Sequence, residues 1–381
     1  MASVNFLLPL FILIHLLPLA ISTTPCHPEQ AAALHQLKRS FLFDYSSTTL
    51  PSWQSGTNCC LWEGVGCDSV SGHVTVLDLS GRGLYSYSLD SALFNLTSLQ
   101  RLDLSMNDFG GSRIPAAGFE RLSVLTHLNL SYSGFYGQVP TAIGKLTSLI
   151  SLDLSSIHGI GGAEIDTLYD IMDSFNLLLL QEPSFKTLMA NLTNLRELYL
   201  DGVDISSSRE DWSRTLGNSV PHLQILSMAN CRLLGPIHSS ISGLHSPNVI
   251  NLKLNRISGV IPEFFADFSN LRVLRVSYND FRGWLPHRIF QLKNLTVLDV
   301  SNNNQLSGYV PKFPNGSSLE TLNLLETSFS GVTMSNFGNL ISLAELGLDG
   351  RSITMEPLYL FANKLDSIDN LQLSLTDFSG E

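Results

Sequence analysis

The chain has 381 residues, of which 14% are charged, with 22 basic and 33 acidic side chains and a net charge of −11. That length supports a large buried core, and an acidic balance without a basic stripe argues against a nucleic-acid partner. Two or three globular domains would be usual for this size, but internal repeats override that rule and are sought first.

From Phe6 to Ile21 the chain is apolar except for His15, and Pro9 and Pro18 interrupt the run. It is too short and too broken by proline for a membrane-spanning helix. It fits the apolar region of a signal peptide over residues 1–22, with small residues at Ala20, Ser22 and Thr23 for cleavage. It departs from the usual pattern in having no Lys or Arg ahead of the apolar run. No later segment of the sequence is long and apolar enough to span a bilayer.

Export to an oxidising compartment sets how the five cysteines are read. Cys26, Cys59, Cys60 and Cys67 cluster near the mature N-terminus and read as a disulfide framework. Adjacent Cys59 and Cys60 do not bond to each other, which leaves Cys26–Cys59 with Cys60–Cys67, or Cys26–Cys60 with Cys59–Cys67. A zinc site is disfavoured because no His stands at ligand spacing. Asn-x-Ser/Thr triplets at Asn95, Asn129, Asn191, Asn294 and Asn315 are candidate glycan sites behind a signal peptide.

Residues 26–73 are suited to cover the end of whatever follows. "PEQAAALHQLKRSF" predicts an amphipathic helix with Ala32, Leu34, Leu37 and Phe41 inward. Trp53 and Trp62 then supply apolar area, and the cysteines staple the segment around them.

From Val74 one pattern recurs, LxxLxLxxNxLxGxIP. Its starts fall at Val74, Leu99, Leu125, Leu149, Leu195, Leu223, Pro247, Leu271, Leu295, Leu319, Leu343 and Ile368, and from Leu223 to Leu343 the spacing is 24 residues every time. LxL is a short strand whose leucines point one way. One such coil cannot bury its apolar edge alone, so coils stack and their strands form a parallel concave sheet, about 4.8 Å per coil. The expected fold is an α/β leucine-rich-repeat solenoid over residues 74–381. An irregular insertion at 158–191 interrupts it, since Leu149 and Leu195 lie 46 residues apart.

The Asn after each strand, at Asn107, Asn255, Asn279 and Asn303, fits a buried ladder whose amides satisfy backbone groups left by the turn. Ser133, Ile157, Val203, Thr327 and Thr376 replace it elsewhere. Ile157 and Val203 cannot stand in for an amide, so irregularity is expected there. Cys231 falls on the same rung, which makes it a buried structural thiol.

"HGIGGAEIDTLYDIMDSFN" at 158–176 lacks the LxL pattern and reads as a surface loop or degenerate repeat. Its Asp166, Asp170 and Asp173 leave ligand contact as the alternative. "LLLLQEPSFKTLMANL" then predicts a strand followed by a convex-side helix. The sequence stops at Glu381 inside a repeat, so a fragment, a partial gene model or a truncated allele is expected.

"GQVP", "GVIP" and "GWLP" at 137–140, 259–262 and 283–286 look like the plant-specific repeat subtype, which implies a second, smaller sheet. The order Cys26, helix, Trp53, "CCLWEGVGC" and "HVTVLDLSGRGL" resembles the N-terminal cap of plant leucine-rich-repeat receptor-like proteins, above all those of the Verticillium-wilt-resistance type. "SALFNLTSLQRLDLSMNDF" and "NLTNLRELYLDGVDIS" extend the likeness over essentially the whole mature chain. The resemblance implies the pairing Cys26–Cys59 and Cys60–Cys67. It also implies a plasma-membrane receptor in plant defence that detects an extracellular protein, peptide or glycan and signals through a co-receptor kinase. Membrane attachment would come only from a C-terminal anchor outside this sequence.

No GxSxG, HExxH, phosphate-binding glycine loop or kinase signature occurs, and no cofactor or metal is implied; an enzyme is not expected. Asp residues in "LDLS" at 77–80, 102–105 and 152–155 read as solvated strand positions. The x positions of LxxLxLxx face the concave solvent. They give a candidate ligand band of His127, Asn129, Tyr132, Arg196, Glu197, Tyr199, Arg272, Arg275, Tyr278, Glu320, Asn323 and Glu326. Competing readings are a secreted inhibitor of microbial cell-wall-degrading enzymes, or the ectodomain of a receptor kinase.

Overall fold

Leucine at every second strand position builds the molecule. In the computed structural model, which describes residues 24–42, 50–156, 178–181, 184–206, 212–349 and 370–374, thirteen short strands form one sheet. The central residue of each repeat strand, a leucine from Leu77 and Leu102 through Leu322 and Leu346 except for Ile250, is buried in one core that runs the length of the coil stack. All neighbours in this sheet pair in parallel except the first two, Val65–Cys67 and Val74–Asp78, which form an antiparallel pair. That pair lets the cap join the concave sheet directly.

The opposite side carries short 3₁₀ turns, such as Ser91–Asn95 and His287–Gln291, and two helices, Phe185–Met189 and Trp212–Ser219. Residues 178–191 within the expected insertion therefore include a strand at Leu178–Leu179 and the predicted helix, whose Ser184 hydroxyl accepts from the Thr187 N–H. The signal-peptide segment, Asp166, Asp170, Asp173, Ile157, Ile368 and Thr376 lie outside the described residues.

A second sheet is present in two pieces. Strands Leu234–Pro236, Arg256–Gly259, Asp280–Trp284, Asn303–Gly308 and Thr327–Phe329 form one, and Gly137–Gln138 with Leu178–Leu179 the other. The coil carrying Val203 lies between them; among the described residues it is tied by an isolated bridge from Leu179 to Asp204 on one side and by the Ile205 N–H to Cys231 O on the other. The break falls where the amide ladder is interrupted.

The cap helix spans Pro28–Ser40 and buries Gln30, Ala33, Leu34 and Leu37, with Phe41 just beyond. Ala32 is exposed, a correction to the predicted face: the i, i+4, i+7 stripe runs through residue 30. Gln30 is polar and belongs there because its Oε1 accepts the N–H of Val74, the first residue of the first repeat strand, at 2.9 Å. Trp53 and Trp62 stack at 5.5 Å, and each indole N–H is satisfied, by the Glu63 carbonyl and the Thr57 hydroxyl. Cys26 is bonded to Cys59 and Cys60 to Cys67, with Cα–Cα separations of 5.4 Å in both.

The rungs show why Asn recurs. Asn279 Nδ2 donates to the carbonyls of Leu252, Val276 and Ser277, and its Oδ1 accepts from Ile257 N–H at 2.9 Å. Asn107, Asn255 and Asn303 repeat the arrangement. Ser133 and Cys231 keep only the donor half, to Leu104 O at 2.7 Å and Leu200 O at 3.0 Å. The orphaned N–H then turns to the main chain: Phe109 N–H donates to Ser133 O and Ile205 N–H to Cys231 O. Cys231 is wholly buried, which pushes its thiol well above the usual range.

Candidate ligand-binding face

Each repeat strand presents two solvent-facing positions on either side of its buried leucine. Register aligns them into two rows. The first runs Arg101, His127, Ser151, Glu197, Ile225, Val249, Val273, Val297, Thr321, Glu345. The second runs Asp103, Asn129, Asp153, Tyr199, Ser227, Asn251, Arg275, Asp299, Asn323, Gly347 in the same register.

The sequence-selected residues split into two groups on this face. His127 and Asn129 come together with Glu197 and Tyr199 across the intervening strand Ser151–Asp153, with Arg196 immediately before its strand. Arg272, Arg275, Tyr278, Glu320 and Asn323 lie farther along, beyond the strands Ile225–Ser227 and Val249–Asn251. Tyr132, Tyr278 and Glu326 are not strand residues. With Met106, Asn230, Leu254 and Asn302 they occupy the position before each rung, at φ between 51° and 59°. A non-glycine residue there costs roughly 1–2 kcal/mol. It is offset because its N–H reaches the next coil, as from Tyr132 to Ser155 O at 2.8 Å and from Tyr278 to Ser301 O at 3.0 Å.

The first group encloses a concavity of about 370 Å³, lined by Arg101, Leu102, Asp103, His127, Leu128, Asn129, Ser151, Asp153, Glu197 and Tyr199. Arg101, Asp103, Ser151 and Asp153 were absent from the sequence-selected band, although they hold the same x positions. The "LDLS" aspartates are not solvated strand residues as expected. Asp103 is 8% exposed, and Asp78, Asp103 and Asp299 each accept both the N–H and the hydroxyl of the serine two residues on. Alternation turns the carboxylate outward, but the Ser-bearing turn folds over it.

Asn129 occupies this aspartate position. Its Oδ1 accepts from Ser131 N–H and Oγ, and its Nδ2 donates to Asp103 Oδ2 at 3.0 Å. Asn129 alone among the five sequon asparagines lines the concavity; Asn95, Asn191, Asn294 and Asn315 are exposed outside the concave strands.

Electrostatics mark the same place. Burial raises the Asp153 carboxyl, opposed by hydrogen bonds from Ser155 and Ser131, with Asp201 adding repulsion. Asp201 is likewise raised by burial, against hydrogen bonds from Ala229 N–H and Ser227 and attraction to Lys253. Burial, then Glu197, Asp153 and Asp201, push the Tyr199 hydroxyl up to about 12.

A stack of leucine-rich coils, a helical cap with two disulfides and a second parallel sheet has counterparts among known proteins. The family described as leucine rich repeat N-terminal domain matches residues 27–68, and the leucine rich repeat family matches residues 222–244. The chain is 31% identical over 351 residues, 86% of its length, to Receptor-like protein 6 of Arabidopsis thaliana. It is 31% identical over 56% of its length to the Receptor-like protein Cf-9 homolog of Solanum lycopersicum. The chain is a leucine-rich-repeat protein of the plant receptor-like group. It spans 28% and 23% of those two relatives' own lengths.

Among solved structures, the ectodomain of the Arabidopsis receptor kinase HAESA in complex with the peptide hormone IDA and the co-receptor SERK1 matches 86% of this leucine-rich-repeat chain and 54% of its own, at TM-score 0.67 and 26% identity. HAESA with an N-terminally extended IDA peptide matches at TM-score 0.64 and 27% identity, over 84% of this chain and 53% of that one. No described helix of the receptor-like chain is long and apolar enough to cross a membrane.

Proposed function

We propose that this chain is the extracellular ligand-recognition region of a plant cell-surface receptor-like protein, acting in defence through a partner receptor kinase. The observation that carries the reading is the continuous concave sheet. Its two outward rows mix Arg, His, Tyr and carboxylates over an otherwise closed leucine core. Its architecture matches that of a receptor ectodomain solved with a peptide and a co-receptor. Residues 1–22 serve as signal peptide, 26–73 as cap and 74–381 as repeats, and the exposed sequons carry glycans in the apoplast. On this reading the concave face is a binding surface.

A glycan wedge tests the concave face. Lys253→Thr turns Asn251-Leu252-Lys253 into a sequon on the second row, whereas Asp267→Asn creates Asn-Phe-Ser on the exposed convex turn. In leaf tissue expressing the full-length receptor, microbial culture filtrate should trigger an oxidative burst that Lys253→Thr abolishes and Asp267→Asn leaves intact. An equal response from both variants would reject the concave face as the ligand site.

A further inference from the structure

The two halves of the first outward row differ in chemistry. Between Arg101 and Glu197 the row is polar or charged; from Ile225 through Val249 and Val273 to Val297 it is β-branched and apolar, four half-buried side chains in register on adjacent strands. The 370 Å³ concavity lies at the polar end, within the range of small-ligand pockets. The side chains of Glu197 and Tyr199 make no hydrogen bond to any described residue, although both line this concavity. His127 Nδ1 pairs with the Thr126 hydroxyl at 2.8 Å, and its ring lines the same concavity. Three carboxylates, Asp103, Asp153 and Glu197, line the concavity with one cation. That cation, Arg101, sits three strands from Glu197, roughly 14 Å at about 4.8 Å per strand.

We propose that the concave face takes an extended peptide that carries an arginine or lysine followed or preceded by apolar residues. The cationic side chain enters between Asp153, Glu197 and Tyr199, and the apolar side chains lie over Ile225, Val249, Val273 and Val297. This rests on the ligand-recognition reading above and names the ligand's chemistry. Asp201 repels the Asp153 carboxylate, and a cation beside Asp153 offsets that repulsion while giving the Glu197 carboxylate and the Tyr199 hydroxyl a hydrogen-bonding partner. The half-exposed parts of these β-branched side chains, on a row otherwise polar, lose contact with water only when covered. Charge complementarity and apolar area therefore point to one occupant lying along the solenoid, and the spacing fixes the pattern. From Glu197 to Val249 is two strand steps, about 10 Å, or roughly three residues of extended chain.

The test uses a random dodecapeptide library displayed on phage, panned on the immobilised, disulfide-intact chain at low salt. Enriched sequences are expected to hold a Lys or Arg about three residues from a run of apolar residues. A synthetic peptide of the enriched sequence should lose at least tenfold in affinity to Glu197→Gln and to Tyr199→Phe, and a similar factor to Val249→Ser. Exposed Glu263→Gln on the convex side should have no effect, and circular dichroism should report unchanged folding in every variant. Enrichment of neutral or acidic peptides that still depend on Val249, or binding insensitive to Glu197→Gln, would overturn the cationic subsite and leave the concave face standing. Enriched peptides indifferent to all concave variants would overturn both, and a panning that enriches nothing counts against the peptide.

Discussion

Coils from Leu223 onward and coils between Leu125 and Val203 start from the same repeat and reach different solutions. The later coils keep a strict 24-residue period, carry Asn255, Asn279 and Asn303 on consecutive rungs, and line the first concave row with Ile and Val. The earlier ones replace the amide with Ser133 and Val203, break the second sheet, and gather carboxylates on the concave side. The difference teaches that the amide is not needed to close a coil. A hydroxyl or thiol can supply the donor, and the main chain supplies the acceptor, as at Ser133 and Cys231. The amide does both at once, and the three coils where it does so consecutively supply the middle strands of the five-stranded piece, flanked by the Cys231 and Thr327 coils.

The sharpest way to break this comparison is Asn279→Ala. It leaves Ile257 N–H without its side-chain partner and takes from the Leu252 carbonyl one of two donors, the other being Asn255 Nδ2. A loss on the order of 3 kcal/mol in denaturant unfolding is expected, with faster hydrogen exchange at Ile257. Ser133→Ala removes only a donor, since Phe109 N–H is held by the Ser133 carbonyl, so about 1 kcal/mol is expected. Equal losses at the two sites would erase the distinction between amide and hydroxyl rungs. Cys231→Ser keeps a donor toward Leu200 O and should change stability by less than about 1 kcal/mol, and the native thiol should resist alkylation until the chain unfolds.

The smallest effect concerns pH. Asp153 and Asp201 have folded-state carboxyls raised above the ordinary value of 3.8, so the folded state binds protons more readily than the unfolded one. Their ionisation therefore costs stability at neutral pH, and that cost is relieved as pH falls through the raised values toward 3.8. Asp153→Asn should flatten this part of the stability profile between neutrality and mild acid, measured by urea unfolding across that window. A profile unchanged in shape would show that burial at Asp153 exerts no such penalty.

Much of this was legible from residues alone. Period-two leucines set the strands, the 24-residue spacing set the coil, and the rung position explained Cys231. The plant-type GxIP text implied the second sheet, and the cysteine order, through its resemblance to receptor-like caps, implied the pairing that the fold adopts. The candidate band was half legible: alternation named His127, Glu197 and Tyr199, but the same rule misread the "LDLS" aspartates as solvated and passed over Arg101 and Asp153.

The reason lies in the range of the interactions. Which face a side chain leaves by is local, decided by the pleat and by its neighbours two residues away, so the sequence determined the core and the outward rows. What an outward side chain meets is decided by coils about 24 residues away and by the turn that folds over it. The tertiary structure alone therefore buried Asp103 under Ser105, put Gln30 rather than Ala32 on the inner face of the cap helix, and brought Arg101, Asp153, Glu197 and Tyr199 around one concavity.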